Sequence, residues 1–256
     1  MPAKFKVVIP ARLGSTRLPR KVLLPIHGQP LIRYVHGVAR ASGAEEIVIA
    51  ADHAEIINAC RAFGADAQLT SAAHQSGTDR ANEIAQARKW PADTIVVNLQ
   101  GDEPMMPPAM IREAVNLLAT DVEADIATLA HRLHSIDEWK NPNFVKVVMD
   151  EKGRALYFSR APIPWKRAQD PTRPDFPDTL AVRHIGLYAY RAGALARFAA
   201  LPLHPLERCE ALEQLRALAH GMNIRVGITT QPAPRGVDTE EDWRAVARQL
   251  PPLPNA

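Results

Sequence analysis

The sequence is poor in the features that mark nucleic-acid-binding proteins. Aromatic residues make up 5% of its 256 residues, too few for the stacking surfaces that bind single-stranded nucleic acid. The formal net charge is only +3, whereas a DNA-binding domain concentrates a larger positive charge in one stripe. Both shortages disfavour nucleic acid as a partner and favour an anionic small molecule.

Cysteines are scarce too, and long apolar runs are missing. Cys60 and Cys209 are far apart with no C-x-x-C spacing, which predicts reduced thiols. No apolar run approaches the ~20 residues of a membrane span, and Met1–Lys6 leads into a strand without a signal-peptide pattern. With no H-E-x-x-H motif and no evident Ser-His-Asp order, zinc and hydrolase chemistry are disfavoured. We expect a cytoplasmic protein with no membrane insertion.

The densest positive charge lies in one loop, PARLGSTRLPRK at Pro10–Lys21, which follows the first predicted strand. It contains neither G-x-G-x-x-G nor G-x-x-x-x-G-K-[ST]. It does supply what a polyphosphate needs, namely close backbone N–H groups, hydroxyl donors and fixed positive charge. The residues concerned are Arg12, Gly14, Ser15, Thr16, Arg17, Arg20 and Lys21.

The first half of the chain alternates predicted strands and helices, which predicts an α/β fold with a mostly parallel, Rossmann-like sheet and helices on both faces. Ligands of such sheets bind beyond the carboxyl ends of the strands. The predicted strands are Phe5–Ile9, Glu46–Ala51, Ala65–Leu69, Thr94–Leu99 and Asp125–Ala130. The predicted helices are one starting at Pro30 and ending at Gly43, Ala54–Phe63, Asp79–Lys89 with Thr78 as N-cap, and one over 108–118.

The second half predicts a smaller β-rich hairpin region, followed by a return to the α/β pattern. Residues 161–179 are rich in proline and charge and predict a long irregular loop. The predicted elements are the hairpin Val145–Met149 and Ala155–Ser159, the strand His184–Tyr190, one helix Leu206–His220, the strand Ile224–Ile228 and the helix Glu240–Gln249.

Two carboxylates are candidate ligands of Mg²⁺. Asp102, in Q-G-D-E-P, directly follows a predicted strand, and Asp238 lies in G-V-D-T before the last helix. Carboxylate oxygens beside a phosphate loop suit magnesium. The alternatives are a solvated turn for Asp102 and a helix cap for Asp238. Glu103 is predicted to be a turn or supporting group.

Other polar residues are candidates for a second ligand, each with a structural alternative. His184 and Tyr188 share one face of a predicted strand, but a lone strand histidine is more often packed. Arg160 ends an apolar strand, where it would either bind a carboxylate through two hydrogen bonds or lie on the surface in solvent. On the predicted helix Leu206–His220, Glu210, Glu213 and Gln214 lie opposite the apolar arc, either over a cleft or in solvent.

The motifs together resemble one known family. PARLGSTRLPRK, HQSGTDR, NLQGDEP, YFSRAPIPW, RHIGLYAYR, LEQLR and GVDT occur in the order found in 3-deoxy-manno-octulosonate cytidylyltransferases (CMP-Kdo synthetases). The resemblance runs from about Val7 to Val246, and YFSRAPIPW with RHIGLYAYR is its most specific part. It implies a nucleotidyltransferase that converts CTP and Kdo to CMP-Kdo and diphosphate with Mg²⁺, for lipopolysaccharide biosynthesis.

The resemblance also implies residue roles. Lys21, Asp102 and Asp238 would be catalytic, and Asp102 and Asp238 would hold magnesium. The implied nucleotide ligands are Arg12, Lys21, Ser76 and Arg80. The implied sugar ligands are Gln100, Arg160, His184, Tyr188, Glu213 and Gln214. Arg20 departs from the family, since many relatives have glycine there.

The same resemblance organises the chain as one domain, 1–256. About 1–135 would be the nucleotide-binding half, about 140–225 the sugar-binding and dimerisation region, and 226–256 a return to the main sheet. A homodimer is expected. Two other functions stay open at this point: a cytidylyltransferase for another acidic sugar such as a sialic acid, and a non-catalytic nucleotide-binding module.

Overall fold

The computed structural model describes residues 3–15, 17–167, 177, 179–232 and 236–253. Within them the strands are β1 (Phe5–Ala11), β2 (Pro25–Ile26), β3 (Gln29–Pro30), β4 (Glu46–Ala51), β5 (Ala67–Leu69), β6 (Ile95–Asn98), β7 (Ile126–Arg132), β8 (Lys146–Met149), β9 (Ala155–Ser159), β10 (Val182–Arg191) and β11 (Ile224–Ile228). The helices are α1 (Leu31–Ala41), α2 (Ala54–Arg61), α3 (Gly77–Ala87), α4 (Pro108–Thr120), α5 (Ile136–Lys140), α6 (Ala192–Ala199), α7 (Pro205–Glu210), α8 (Gln214–Ala219) and α9 (Glu240–Gln249). A short 3₁₀ helix covers Lys21–Leu23.

The main sheet is mixed and mostly parallel. Seven of its strands follow the order β11-β7-β10-β6-β1-β4-β5. The pairs β1–β4, β1–β6, β4–β5 and β11–β7 are parallel, while β10 runs antiparallel to both of its neighbours in this order. The predicted α/β sheet is confirmed.

Burial on both sides of β1 explains the two layers of helices. Val7 and Ile9 join a core cluster with residues of α1, α2 and α4, whereas Val8 joins a second cluster with residues of α3 and α6. A strand buried on both faces reads as a nearly continuous apolar run, as FKVVIPA does here. Helices therefore cover both faces, as predicted.

The predicted hairpin is confirmed as β8 and β9, which pair antiparallel from Lys146↔Ser159 to Met149↔Ala155. It joins the main sheet through the pair Arg183↔Lys146. Most of the Pro-rich segment predicted as irregular lies outside the described residues.

The single helix predicted over Leu206–His220 is wrong. Two short helices, α7 and α8, replace it, and Ala211 between them has a left-handed backbone with φ of 50°. Arg160 stabilises this break, because its guanidinium donates to the carbonyls of Glu210 at 2.7 Å and Ala211 at 3.4 Å. The break turns Gln214 into the core, so Glu210, Glu213 and Gln214 do not share one helical face.

The predicted start of α3 is also wrong. Ser76, not Thr78, is the N-cap, in a capping box with Asp79. Reciprocal bonds of this kind satisfy two free N–H groups at the helix start, and Thr78 falls inside the first turn. Helices α5 and α6 were not predicted, since they are only five and eight residues long.

Candidate active site

The carboxyl ends of β1 and β6 form one side of a cleft. The two strands are parallel neighbours, with Val8 opposite Asn98, so the basic loop after β1 and the segment Gln100–Asp102 after β6 meet at one edge of the sheet. The cleft has a volume of about 170 Å³. Its lining includes Arg12, Ser15, Lys21, Ser76, Gly77, Arg80, Gln100, Gly101 and Asp102. Sequence reasoning had named six of these as site residues.

Backbone bonds hold the basic loop in place. Leu13 N donates to Asp52 Oδ1 at 2.9 Å, and Arg20 N donates to Leu13 O at 3.2 Å. Arg20 has φ of 59°, a left-handed conformation that glycine adopts at less cost, and its side chain pairs with Glu55. The turn therefore forms with arginine at this position. Thr16 lies outside the described residues.

Two predicted carboxylates converge on one lysine. Lys21 Nζ lies 2.5 Å from Asp102 Oδ2 and 3.1 Å from Asp238 Oδ1. Arg17 reaches the same oxygen of Asp238 at 3.0 Å. Val237 N donates to Asp102 O at 2.9 Å, which fixes the two segments to each other. Lys21 is 81 positions from Asp102 and 217 from Asp238, so the charged cluster joins distant parts of the sequence.

This cluster fits a magnesium ion by the chemistry of its donors. Mg²⁺ prefers oxygen ligands and is commonly held by one or two carboxylates with substrate phosphates and water. Asp102 and Asp238 supply two such carboxylates. Over the described ranges, no group of three or more His, Cys, Asp or Glu is arranged to hold a metal, so the remaining ligands would have to come from elsewhere.

The other two predicted nucleotide cations have contrasting environments. Arg12 is exposed on the cleft, and its guanidinium has no hydrogen bond or ion pair with any other described residue. Arg80 is buried, donates to Thr70 Oγ1 and Ser71 O at 2.9 Å each, and lies 3.6 Å from Asp52 Oδ2. Arg12 is therefore available to an anion, while Arg80 is a fixed charge in the wall.

A chain of hydrogen bonds leads from the cleft to Glu213. Gln100 donates to Asn98 at 3.4 Å, Asn98 donates to Thr78 at 3.4 Å, and the Thr78 hydroxyl donates to Glu213 Oε2 at 2.9 Å. Burial raises the pKa of Glu213, and hydrogen bonds from Ser76 and Thr78 oppose that shift. Sequence reasoning missed Asn98 and took Thr78 for a cap. The only available signal was a polar residue at the end of the apolar strand TIVVNL.

Within the part of the chain that the structure describes, the guanidinium of Arg160 contacts backbone carbonyls rather than an acidic side chain. Besides the carbonyls of Glu210 and Ala211, its guanidinium donates to Pro142 O at 3.1 Å. Its backbone N donates to Glu210 Oε2 at 2.9 Å. Glu210, predicted to face a cleft or solvent, instead anchors the end of β9. Arg160 therefore joins the hairpin to the break between α7 and α8.

His184 and Tyr188 lie together on β10, as predicted, but the histidine is packed. His184 is 8% exposed, and its ring lies 5.0 Å from that of Phe158 and 5.3 Å from that of Tyr188. Burial, with the nearby charge of Arg183, lowers the pKa of His184 to about 3. Burial likewise raises the pKa of Tyr188. Both rings are neutral at physiological pH.

Glu103 differs from an ordinary turn residue because its carboxyl oxygen Oε2 is buried. Burial is the main cause that raises the pKa of Glu103 to about 8, with Asp102 adding to it. Its Oε2 is buried and makes no hydrogen bond to a described residue. The carboxyl group lies near Gly236, and the charges of Asp102 and Asp238 act on it; its supporting role stays a prediction.

Comparisons with known proteins point to one family. The profile of the family described as Cytidylyltransferase matches residues 6–224. The chain is 53% identical over 95% of its length to a 3-deoxy-manno-octulosonate cytidylyltransferase of Chromohalobacter salexigens, covering 95% of that protein. It is 49% identical over 96% of its length to the protein of the same name from Cellvibrio japonicus, covering 98% of that protein.

A solved structure is similar as well. It is a CMP:2-keto-3-deoxy-manno-octonic acid synthetase complexed with CTP, with a TM-score of 0.85 and 39% identity. The match covers 96% of this chain and 98% of that one. Among the described residues, no helix has the length and apolar character needed to cross a membrane.

Proposed function

Because the chain belongs to the 3-deoxy-manno-octulosonate cytidylyltransferase family, we propose that it activates Kdo with CTP, giving CMP-Kdo and diphosphate for lipopolysaccharide biosynthesis. The anomeric hydroxyl of Kdo attacks the α-phosphorus of CTP, the hydroxyl loses its proton, and diphosphate leaves. The observation that carries the proposal is the cleft in which the basic loop faces Asp102 and Asp238. Phosphoryl transfer depends mainly on positioning and on neutralising charge, which this cleft is equipped to do.

The nucleotide side of the cleft supports the predicted phosphate contacts. Arg12 offers a guanidinium without an acidic partner among the described residues, and Lys21 offers an ammonium group beside the carboxylates. Ser76 stands at the start of α3, where N–H groups and the helix dipole favour an anion. Arg80 adds a buried positive charge. We assign these four residues to CTP.

Asp102 and Asp238 are the residues that would hold magnesium. A bound Mg²⁺ would neutralise the charge of the transferring phosphoryl group and align the attack. The carboxylates of Asp102 and Asp238 both contact Lys21 Nζ, and they thereby hold this lysine in place at the end of the basic loop. We assign Lys21, Asp102 and Asp238 to the catalytic step.

Hydrogen bonds and strand pairing connect several of the predicted sugar ligands to residues at the nucleotide cleft. The hydrogen-bond chain from Gln100 ends at Glu213, and Tyr188 pairs across the strands with Asn98. Arg160 contacts Ala211, two residues before Glu213. The described contacts of its guanidinium are carbonyl oxygens, and a sugar carboxylate would suit this group as a charged partner. We assign Gln100, Arg160, His184, Tyr188, Glu213 and Gln214 to Kdo.

The organisation of the chain stays a prediction. We propose one domain, 1–256, with a nucleotide-binding half at about 1–135, a sugar-binding and dimerisation region at about 140–225, and a return to the sheet at 226–256. The homodimer is supported by large apolar side chains that are more than half exposed on and near the hairpin, namely Leu156, Trp165 and Leu180. We also propose a cytoplasmic location, where CTP is available. Light scattering of the purified protein tests the dimer.

The direct test measures diphosphate release from CTP, with Kdo, with a sialic acid and with no sugar, each with and without Mg²⁺. We expect release only with Kdo and Mg²⁺ together. Release with the sialic acid alone would favour the other acidic sugar, and CTP binding without release under any condition would favour the binding module. Asp102→Asn should lower turnover at least about 100-fold, the usual effect of losing a preorganised charged group. The matched control is Asp93→Asn, at an exposed aspartate. Near-normal turnover of Asp102→Asn would refute the assigned metal site.

A further inference from the structure

Strand β10 loses its pairing with β7 beside the proposed sugar site. Ile185 pairs with Leu129, but the next pair is Tyr188 with Thr128. Gly186 and Leu187 therefore have no partner on β7. Such a bulge bends the strand and redirects side chains next to active sites. It lies between His184 and Tyr188, the two residues of β10 that we assign to Kdo.

One hydroxyl group fills the gap in the ladder. Thr128 is fully buried, and its Oγ1 lies 2.8 Å from Leu187 O and 3.1 Å from Ile185 O. The same oxygen lies 3.0 Å from His184 Nε2. Three polar groups of β10 thus meet at one buried atom, where an unsatisfied polar group would be costly.

The hydrogen bonds at Thr128 Oγ1 determine whether Nε2 of His184 carries a proton. Carbonyl oxygens only accept hydrogen bonds, so the single hydroxyl proton of Thr128 must point towards the carbonyls of Leu187 and Ile185. The hydroxyl oxygen is then an acceptor towards His184, and Nε2 must carry a proton. If Nε2 accepted instead, both carbonyls would face a hydroxyl oxygen with no proton between them.

We infer that Thr128 is a positioning residue for the reaction, since it holds the bulge of β10 and fixes His184 as the Nε2–H tautomer with Nδ1 as an acceptor. The partner of one imidazole nitrogen decides what the other nitrogen can do. Nδ1 of His184 can then only accept a hydrogen bond, so its partner in a ligand would be a donor, such as a hydroxyl group of a sugar acid. This inference rests on the proposed function for the reaction and for the identity of that ligand, whereas the tautomer follows from the hydrogen bonds alone.

The first test reads the tautomer directly, by two-dimensional proton–nitrogen NMR of the ¹⁵N-histidine-labelled full chain. Wild type should show His184 as the neutral Nε2–H form from pH 6 to 9. Thr128→Val, which keeps the shape and removes the hydroxyl, should shift the signals towards a mixture of tautomers, and Thr128→Ser should restore them. The matched control is Thr229→Val: Thr229 is also buried, but its hydroxyl accepts from Gln231 N. An Nδ1–H or charged His184 in wild type, or an unchanged spectrum in Thr128→Val, would overturn the inference.

Kinetics give the second test. Thr128→Val should raise the KM for Kdo about tenfold and leave the KM for CTP within about twofold, because the nucleotide cleft does not contain the bulge. Thr128→Ser should return the Kdo value to within about threefold of wild type. Equal rises in both KM values would show a merely structural role and overturn the inference. If wild type releases no diphosphate with Kdo, the proposed function fails, while the NMR test still decides the tautomer.

Discussion

Gly101→Ala is predicted to damage both the fold and the site, because there is no room for a methyl group at this position. A Cβ built on Gly101 would lie 2.6 Å from the carbonyl oxygen of Pro10, at the end of β1. The opposing atom belongs to the backbone, so it cannot move aside as a flexible side chain would. Ile32 and Val22 would be at 3.4 and 3.5 Å, which are ordinary contacts.

The expected cost follows from this single clash. Overpacking a well-packed site typically costs about 1–3 kcal/mol, and each kcal/mol lowers the Tm of a domain of this size by about 2–4 °C. Gly101→Ala should therefore lower Tm by about 2–12 °C. The clash also pushes apart the two strand ends that carry the basic loop and Asp102. Because misplacement by about 1 Å can cost about 100-fold in rate, kcat/KM for CTP should fall at least about tenfold.

Thermal unfolding and steady-state diphosphate release check this, with Gly37→Ala as the control. Gly37 is exposed in α1, and a Cβ there meets nothing within 4 Å. Since alanine is better than glycine in a helix by about 1 kcal/mol, this control should gain stability and keep full activity. A Gly101→Ala protein as stable and active as wild type would refute the close packing of β1 against the segment after β6.

Three further variants test other parts of the structure. Arg12→Ala should raise the KM for CTP at least about tenfold, since it removes a charge-assisted contact worth about 1.5–3 kcal/mol. Tm should not change, because the side chain is exposed. A normal KM for CTP would contradict the assignment of Arg12 to the nucleotide. Glu103 has a pKa raised to about 8, so the folded state binds more protons than the unfolded state between about pH 4.5 and 8, and stability should fall as pH rises through this window. Glu103→Gln should flatten that dependence in thermal unfolding without magnesium, and an unchanged slope would contradict the shift. Ala211→Gly should stabilise the protein by about 1 kcal/mol, because it relieves a left-handed alanine, whereas in a continuous helix the same change would destabilise it.

The α/β fold was predictable because its signals are local. Apolar runs bounded by turn residues marked the parallel strands, and Glu46–Ala51 and Glu240–Gln249 have the predicted bounds. The loop and Asp102 could be placed together because the carboxyl ends of parallel strands meet at one edge, whereas Asp238 lies before a helix and its place in the site came from the family resemblance. The contact of Lys21 with Asp102 follows that logic. The family resemblance, rather than patterning, supplied the sugar.

The parts that could not be predicted depend on contacts distant in sequence. The pattern of Leu206–His220 is helical, but Arg160, about fifty residues away, stabilises the break at Ala211. The bulge in β10 likewise depends on the hydroxyl of Thr128, whose partners are 56 to 59 residues away. Tertiary hydrogen bonds overrode the local period in the first case. In the second, the period predicted the face correctly but not the irregular pairing that shapes it.

The cleft also links two predicted roles that belong to different residues, phosphate binding by the basic loop and metal binding by the two aspartates. Arg17 and Lys21 pair with Asp102 and Asp238, and this leaves Arg12 as a loop cation without an acidic partner among the described residues. Arg12 and the buried Arg80 together carry less charge than a triphosphate, so CTP binding would require further positive charge. If Lys21 exchanges its carboxylates for phosphates, it supplies that charge and frees the oxygens of Asp102 and Asp238. Under the proposed function, phosphate binding by Lys21 and metal binding by the two aspartates would then be a single exchange of partners.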